Sequence, residues 1–171
     1  MKTQDSFSVF LVDDDKMFLS SLKNALSSEF KKNLEISTFT SGEDCLKNIN
    51  GKPDIIVLDY LLNDDQHPDA IDGMKVLQEV KQTEARDILV IMLSGQDKLQ
   101  VAIDSIKNGA YEYVAKSESA FVRIRNIIKN ALDTIKSGRN NKSYVKWNIV
   151  LGITIVVILL IDIIYYYLGH F

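Results

Sequence analysis

The stretch SVFLVDDDK, residues 8–16, combines the two features from which the fold can be inferred. A short apolar run over residues 9–12 predicts a buried β-strand. The run ends in three adjacent carboxylates, Asp13, Asp14 and Asp15. Because like charges this close repel one another, either the pKa of one carboxylate rises or a positive charge lies among them. Such a positive charge would come from a basic side chain or from a bound cation.

Strand-like and helix-like segments alternate along the chain beyond this first strand. Apolar runs predict five strands, at residues 7–12, 34–39, 54–60, 88–94 and 111–116. Helical periodicity predicts helices over 16–32, 72–84 and 120–136. Two further helices are predicted from capping residues: one begins after an N-cap at Ser41, and one ends at Asn108 and Gly109. This (βα)₅ alternation predicts an α/β fold with a parallel sheet covered by helices on both faces. A functional site is expected at the carboxyl ends of the strands, near the point where the strand order reverses.

Polar side chains stand at four of these strand ends. The first strand is followed by Asp13 and Asp14, and the third ends near Asp59. The fourth ends at Ser94, and the fifth at Lys116. Oxygen ligands in a small acidic cluster suit Mg²⁺, which can bridge carboxylate and phosphate groups. Since a carboxylate can also be the nucleophile that accepts a phosphoryl group, we expect phosphoryl chemistry, with a divalent metal as the missing positive charge and Lys116 as a second one.

Four segments, VFLVDDD, PDIIVLDYLL, ILVIMLSG and GAYEYVAKS, resemble in order and spacing the motifs of response-regulator receiver domains. The resemblance covers residues 7 to about 136. It implies a flavodoxin-like five-stranded sheet of order 2-1-3-4-5. It also implies a protein of two-component signalling that takes part in a phosphorelay.

The resemblance assigns a role to each candidate residue. It implies that Asp59 is the phospho-acceptor, and that Mg²⁺ (Mn²⁺ is possible) is held by Asp13, Asp14, Asp59 and the backbone carbonyl of Leu61. Ser94 is implied as the switch hydroxyl and Lys116 as the cation that pairs with the phosphoryl group. Tyr113 fits either the switch aromatic or plain packing. The implied donor is a histidine kinase or phosphotransfer protein, and the implied output surface, residues 97–136, binds an unknown downstream protein.

Three departures from the family pattern lie near the candidate site. Receivers usually have a proline four residues after the acceptor, where this chain has Asn63, and a glycine about eight residues after it. Here the matching glycine is Gly73, so NDDQHPDAID, residues 63–72, is interpreted as an insertion of about six residues. It adds acidic residues, which are most simply those of a solvated loop. Ser117 stands where the family commonly has a proline after the lysine.

Charge is distributed unevenly along the chain. Residues 119–148 contain seven basic residues and one acid, although the whole chain has a net charge of −3. The apolar run that follows is about as long as a membrane-spanning helix and has aromatic residues at both ends. We therefore predict a receiver domain over 1–136, a basic linker over 137–146, a transmembrane helix over 147–168 and a short tail over 169–171. A competing interpretation of the run is a buried helix.

The positive-inside rule then predicts a single-pass protein of the inner (cytoplasmic) membrane, with the receiver domain in the cytoplasm. The start of the chain has no features of a signal peptide. The basic linker is expected to attract anionic lipids of the bilayer. We expect a stand-alone receiver without a nucleic-acid-binding output domain, since few residues remain to build one. The single cysteine, Cys45, excludes an internal disulfide.

Other function classes remain as alternatives. One is a phosphorylation-independent membrane adaptor that keeps the receiver fold and only binds partners. A haloacid-type phosphatase is less favoured, because it generally needs a second acid two residues after the first, where this chain has Leu61. The chain contains no glycine-rich Walker-type motif, so a nucleoside triphosphatase is not expected. Enzymatic activity is expected only as self-phosphorylation and autodephosphorylation at Asp59.

Overall fold

The structure, a computed structural model, describes residues 6–62, 71–82, 87–95 and 99–137. Within them the strands are β1 (Phe7–Val12), β2 (Leu34–Phe39), β3 (Ile55–Asp59), β4 (Leu89–Ser94) and β5 (Glu112–Ala115). The helices are α1 (Lys16–Phe30), α2 (Gly42–Lys47), α3 (Gly73–Gln82), α4 (Leu99–Lys107) and α5, residues 120–137. The predicted alternation of strands and helices is therefore confirmed.

The five strands form one parallel sheet of order β2-β1-β3-β4-β5. This is the predicted flavodoxin-like order. Strand β1 pairs with β2 in the register Phe7↔Leu34 and with β3 in the register Val9↔Ile55. Because the direction of winding reverses between β1 and β3, the connections that leave these two strands go to opposite faces, and a crevice opens at their carboxyl ends.

Two of the three inner strands are buried along their whole length. Every residue of β1 and of β3 is buried, as expected for strands covered on both faces. On one face, alternate residues of β1, β3 and β4 form a cluster with α2 and α3 that includes Phe10, Val12, Cys45, Ile56, Leu58, Val76, Leu77, Val80 and Met92. The other residues of each strand point to the opposite face. The core thus holds β1 and β3, and the acidic residues that follow them, in fixed positions.

Local hydrogen bonds and backbone conformation explain where three of the helices begin or end. The Ser41 hydroxyl accepts a hydrogen bond from the Asp44 N–H at 3.2 Å, which confirms the predicted start of α2. After α4, Gly109 adopts a φ of +91°, in the left-handed region that favours glycine, which confirms the predicted stop. The first helix ends earlier than predicted, at Phe30, because Lys31 leaves the helical conformation with a φ of +47°.

The chain divides into two units, Met1–Leu132 and Asp133–Phe171. Only residues 133–137 of the second unit are described, and they are helical. None of the helices in the described part of the chain is both long enough and apolar enough to cross a membrane. Three predicted segments lie outside the described residues: the linker beyond residue 137, the transmembrane helix over 147–168 and the tail. Most of the predicted insertion, residues 63–70, lies outside them as well.

Candidate functional site

Four strand ends meet at the carboxyl edge of the sheet. Asp13 directly follows β1, Asp59 is the last residue of β3, Ser94 is the last of β4, and Lys116 directly follows β5. The backbone N–H of Lys116 donates a hydrogen bond of 2.8 Å to the carbonyl of Ser94, which continues the β4–β5 pairing past the strands. The structure thus brings together four of the residues that the sequence selected.

Three carboxylates form the acidic part of this region. Asp13, Asp14 and Asp59 each contribute one oxygen to a group whose members all lie within 4.8 Å of one another. Asp13 is 1% exposed and Asp59 is 3% exposed, whereas Asp14 is exposed. Because burying a charge costs several kcal/mol unless it is compensated, the two buried carboxylates need a positive partner.

Lys116 provides that partner. Its Nζ lies 2.6 Å from Asp13 Oδ2 and 2.9 Å from Asp59 Oδ2, so one ammonium group contacts both buried carboxylates. The sequence raised the question of a positive charge among the aspartates, and in this structure the lysine that follows β5 supplies it. One ammonium does not balance three carboxylates, so the region keeps an excess of negative charge.

Burial leaves two carboxylate oxygens without a hydrogen bond in the described part of the chain, Asp59 Oδ1 and Asp13 Oδ2. The second of these still has its ion pair with Lys116. Burial raises the pKa of Asp59 from 3.8 to about 6, although Lys116 acts in the opposite direction. Burial also raises the pKa of Asp13. For Lys116, burial lowers the pKa, but the two carboxylates outweigh this effect and the pKa is raised.

A buried aspartate at the end of β3, paired with a lysine and next to two further carboxylates, fits the family that the motifs resemble. The family model described as the response regulator receiver domain matches residues 9–129. The chain belongs to the response regulator receiver domain family. Receiver domains are the components of two-component systems that interact with histidine kinases or phosphotransfer proteins.

Individual relatives support the same family. The transcriptional regulatory protein CssR of Bacillus subtilis is 28% identical over 111 residues, which are 65% of this chain and 45% of CssR. The nitrogen assimilation regulatory protein NtrX of Azorhizobium caulinodans is 27% identical over 132 residues, 77% of this chain and 27% of that protein. The chain therefore spans less than half the length of these two curated relatives.

A solved structure gives the corresponding result for the fold. The receiver domain of NtrX from Brucella abortus matches with a TM-score of 0.63 and 28% identity, over 74% of this chain and 98% of that domain. The similarity thus covers nearly the whole of an isolated receiver domain. The fold and the family are therefore shown.

The third aspartate of the opening motif has a structural role that the sequence analysis missed. The Asp15 side chain is the N-cap of α1 and accepts hydrogen bonds from the N–H groups of Met17 at 2.8 Å and Phe18 at 3.0 Å. Its own N–H donates to Asp13 Oδ1 at 3.0 Å. The signal was present in the sequence, because an aspartate directly before an amphipathic helix is a preferred N-cap. Asp15 therefore fixes the start of α1 relative to Asp13.

Gly73 occupies a position where only glycine fits. A Cβ atom built on it would lie 1.9 Å from the carbonyl oxygen of Asp59. Its N–H donates a hydrogen bond of 2.9 Å to the carbonyl of Tyr60. The first turn of α3 thus packs directly against the backbone of the candidate acceptor. This contact supports the prediction that Gly73 is the glycine of the family pattern, displaced along the sequence by an insertion.

The remaining candidates have less decisive surroundings. Ser94 is fully buried at the site, on the strand next to Asp59. Tyr113 is half-buried in β5 and packs against the hydrophobic cluster, so packing alone would account for its position. Leu61 follows two residues after Asp59, with its side chain 39% exposed. A switch role for Ser94 and Tyr113, and metal binding by the Leu61 carbonyl, stay predictions.

The donor set fits a divalent metal ion. It offers three carboxylates with an excess of negative charge, and one buried oxygen, Asp59 Oδ1, lacks a hydrogen bond in the described part of the chain. Such oxygen ligands are those that Mg²⁺, and also Mn²⁺, prefers. Asp13, Asp14 and Asp59 would hold the ion, which would supply charge neutralisation for an incoming phosphoryl group.

Proposed function

We propose that this receiver domain accepts a phosphoryl group on Asp59 from a phosphohistidine of a histidine kinase or phosphotransfer protein. The observation that supports this proposal is the asymmetric environment of the Asp59 carboxylate. Oδ2 is held by Lys116 at 2.9 Å, whereas Oδ1 is buried without a hydrogen bond in the described part of the chain. One oxygen is thus engaged by the lysine, and an attack of the other on phosphorus would break no hydrogen bond within the described residues.

The chemistry follows from this arrangement. Asp59 Oδ1 attacks phosphorus and forms an oxygen–phosphorus bond, while the phosphorus–nitrogen bond breaks and the leaving imidazole keeps the electron pair and takes up a proton. The product is an acyl phosphate. We expect Lys116 to neutralise part of the charge during transfer and Ser94, at the end of the adjacent strand, to hydrogen-bond a phosphoryl oxygen. Attack of water on the acyl phosphate later returns Asp59 and releases phosphate.

The transferred group is proposed to change a protein-binding surface within residues 97–136. Three residues of α4, Leu99, Ile103 and Ile106, are 76%, 38% and 49% exposed although they are large and apolar. Their spacing places them on one side of the helix. Val122 on α5 is 50% exposed as well. Such exposed apolar residues are suited to bind a downstream protein.

We further propose that the receiver is tethered to the inner (cytoplasmic) membrane and faces the cytoplasm. The argument comes from the sequence, in which a basic segment precedes an apolar run over 147–168 that is long enough to span a bilayer. Membrane fractions of cells that express the tagged full chain should retain it after washing with alkaline carbonate. A chain truncated after residue 138 should move to the supernatant. Release of the full chain by carbonate would contradict tethering.

The phosphorylation proposal is tested on the full chain with Mg²⁺ and acetyl phosphate, followed by intact-mass measurement. We expect a gain of one phosphoryl group that is lost when Asp59 is replaced by asparagine or when the metal is chelated. Asp44→Asn is the matched control, because Asp44 is exposed and lies on α2, and it should be phosphorylated like the parent. Failure with acetyl phosphate and with a panel of phosphorylated histidine kinases, in folded protein, would favour the alternative of a phosphorylation-independent adaptor.

A further inference from the structure

The ammonium group of Lys116 has a third neighbour besides the two carboxylates. Its Nζ lies 4.7 Å from the centre of the Phe18 ring. This distance is within the range of cation–π attraction, which is stronger where the cation is partly removed from water. The Lys116 side chain is only 21% exposed. The Phe18 ring therefore forms an apolar and electrostatically attractive wall on one side of the ammonium.

The same ring contacts α5. Phe18 and Phe121 pack edge to face, with ring centres 5.3 Å apart and planes inclined at 74°. Phe121 lies in the first turn of α5, which begins at residue 120. Phe18 thus lies between the ammonium at the candidate acceptor and the start of a helix in the proposed output surface.

A hydrogen bond of its backbone N–H group holds Phe18 in place. The Phe18 N–H donates to the Asp15 carboxylate at 3.0 Å, and the Asp15 N–H donates to Asp13 Oδ1 at 3.0 Å. Asp13 also contacts Lys116 through its other oxygen. Asp13 therefore contacts the ammonium directly and is linked to the backbone of Phe18 through Asp15. Burial of apolar surface alone would not require an aromatic ring, since leucine could supply it.

We propose that Phe18 is a positioning residue that transmits movement of the Lys116 ammonium to the first turn of α5. The proposal rests on phosphorylation of Asp59. When the acyl phosphate forms, negative charge moves from the carboxylate to the phosphoryl oxygens, and the ammonium moves toward them. The Phe18 ring, which contacts the ammonium on its face and packs edge to face with Phe121, shifts with it. The start of α5 then changes its packing.

The first test compares Phe18→Leu, Phe18→Trp and Met17→Leu in the full chain. Met17 is the matched control, since it is the preceding residue and is 81% exposed. Each protein is phosphorylated to the same extent, and amide hydrogen exchange is measured over residues 120–132 before and after. We expect the parent, Met17→Leu and Phe18→Trp to show a change on phosphorylation. Phe18→Leu should reduce that change about two- to tenfold, the range expected for loss of one cation–π contact.

A purely structural role predicts a different pattern. It would lower the melting temperature of Phe18→Leu and leave the phosphorylation-dependent change intact, and a tryptophan would not restore a lost response. An undiminished response in Phe18→Leu, or no recovery in Phe18→Trp, would overturn the proposal. A Phe121→Leu variant should match Phe18→Leu, and the double variant should be no worse than either single one, because both residues lie on one path.

The second test needs no phosphorylation, so it separates failure of this inference from failure of the proposed function. Lys116→Met is compared with the parent in the unphosphorylated protein, well below the melting temperature of both. We expect faster exchange over residues 120–132, and no such effect of Lys116→Met when Phe18 is already leucine. Equal effects of Lys116→Met in the two backgrounds would show that Phe18 does not connect the lysine to α5, whether or not Asp59 is phosphorylated.

Discussion

Replacement of Asp59 by asparagine should make the metal-free protein more stable at alkaline pH, although it removes an ion pair with Lys116. The reason is that burial outweighs this ion pair and raises the pKa of Asp59 from 3.8 to about 6. One pKa unit corresponds to ~1.4 kcal/mol. Ionisation of the buried carboxylate therefore costs the folded state about 3 kcal/mol relative to a neutral side chain of the same shape.

The sign and the pH window follow from the same two pKa values. Because the pKa of Asp59 is higher in the folded state than in the unfolded state, the stabilising effect of its proton is fully present below pH 3.8 and is lost as the pH rises through about 6. Asparagine does not titrate. The advantage of Asp59→Asn should thus be about 3 kcal/mol near pH 8 and about half of that near pH 5.

The assay is urea unfolding of both proteins in the presence of a chelator near these two pH values. Asp44→Asn serves as the control, because Asp44 is exposed and its ion pair with Lys47 lowers the pKa of its carboxyl group, so its removal should bring no gain at either pH. If Asp59→Asn is equally or less stable than the parent near pH 8, the Lys116 pair dominates the energetics of Asp59. The premise that burial creates an electrostatic cost at this site would then be wrong.

Three further variants test the surroundings of Asp59. Gly73→Ala should lose about 3 kcal/mol of stability through overpacking in the same urea assay, because its Cβ would lie 1.9 Å from the Asp59 carbonyl oxygen. Gly95→Ala is the control: a Cβ on Gly95 would meet no atom of the described residues within 4 Å, so stability should change by less than about 0.5 kcal/mol. Lys116→Met should lower the stability of the metal-free protein by about 3 kcal/mol near pH 8 and by less near pH 5, as the unpaired carboxylates become protonated; a loss independent of pH would contradict this. Asp15→Ala should cost about 1 kcal/mol through loss of the α1 N-cap, and Asp15→Ser should recover most of it in thermal unfolding.

The sequence predicted the fold well because its strongest signals are local. The strands β1 and β3 are continuous apolar runs, and they were predicted to within a residue of their observed ends. Caps such as Ser41 and stops such as Gly109 are also local signals, and both were confirmed. The end of α1 was missed because the sequence around Lys31 contains no glycine or proline to indicate the observed break.

The candidate site was predicted less completely, since contacts between distant residues are not local. Convergence of Asp13, Asp59 and Lys116 followed from the parallel topology, in which all the strand ends meet at one edge. The parallel topology did not predict which of these side chains contact one another. The sequence could not show that one lysine contacts both buried carboxylates, or that a glycine fourteen residues after Asp59 packs on its carbonyl oxygen. Both facts depend on how β5 and α3 pack against β3.

The charges at the carboxyl edge of the sheet connect the stability of the protein with its proposed function. Three carboxylates whose oxygens lie within 4.8 Å of one another share one ammonium, so the described residues alone leave the region two charges short of neutrality. Burial, with smaller contributions from Asp13 and Asp14, raises the pKa of Asp59, and a proton on this carboxyl group removes one of the charges. A divalent cation would neutralise both of the uncompensated charges. Because the cation binds to the folded state, its binding must raise the free energy of unfolding. Mg²⁺ should therefore stabilise the parent more than Asp59→Asn, because the variant already lacks one of the charges and one of the ligands. The burial that makes Asp59 costly to ionise is thus the same property that would favour metal binding, and it leaves Asp59 Oδ1 without a hydrogen bond among the described residues.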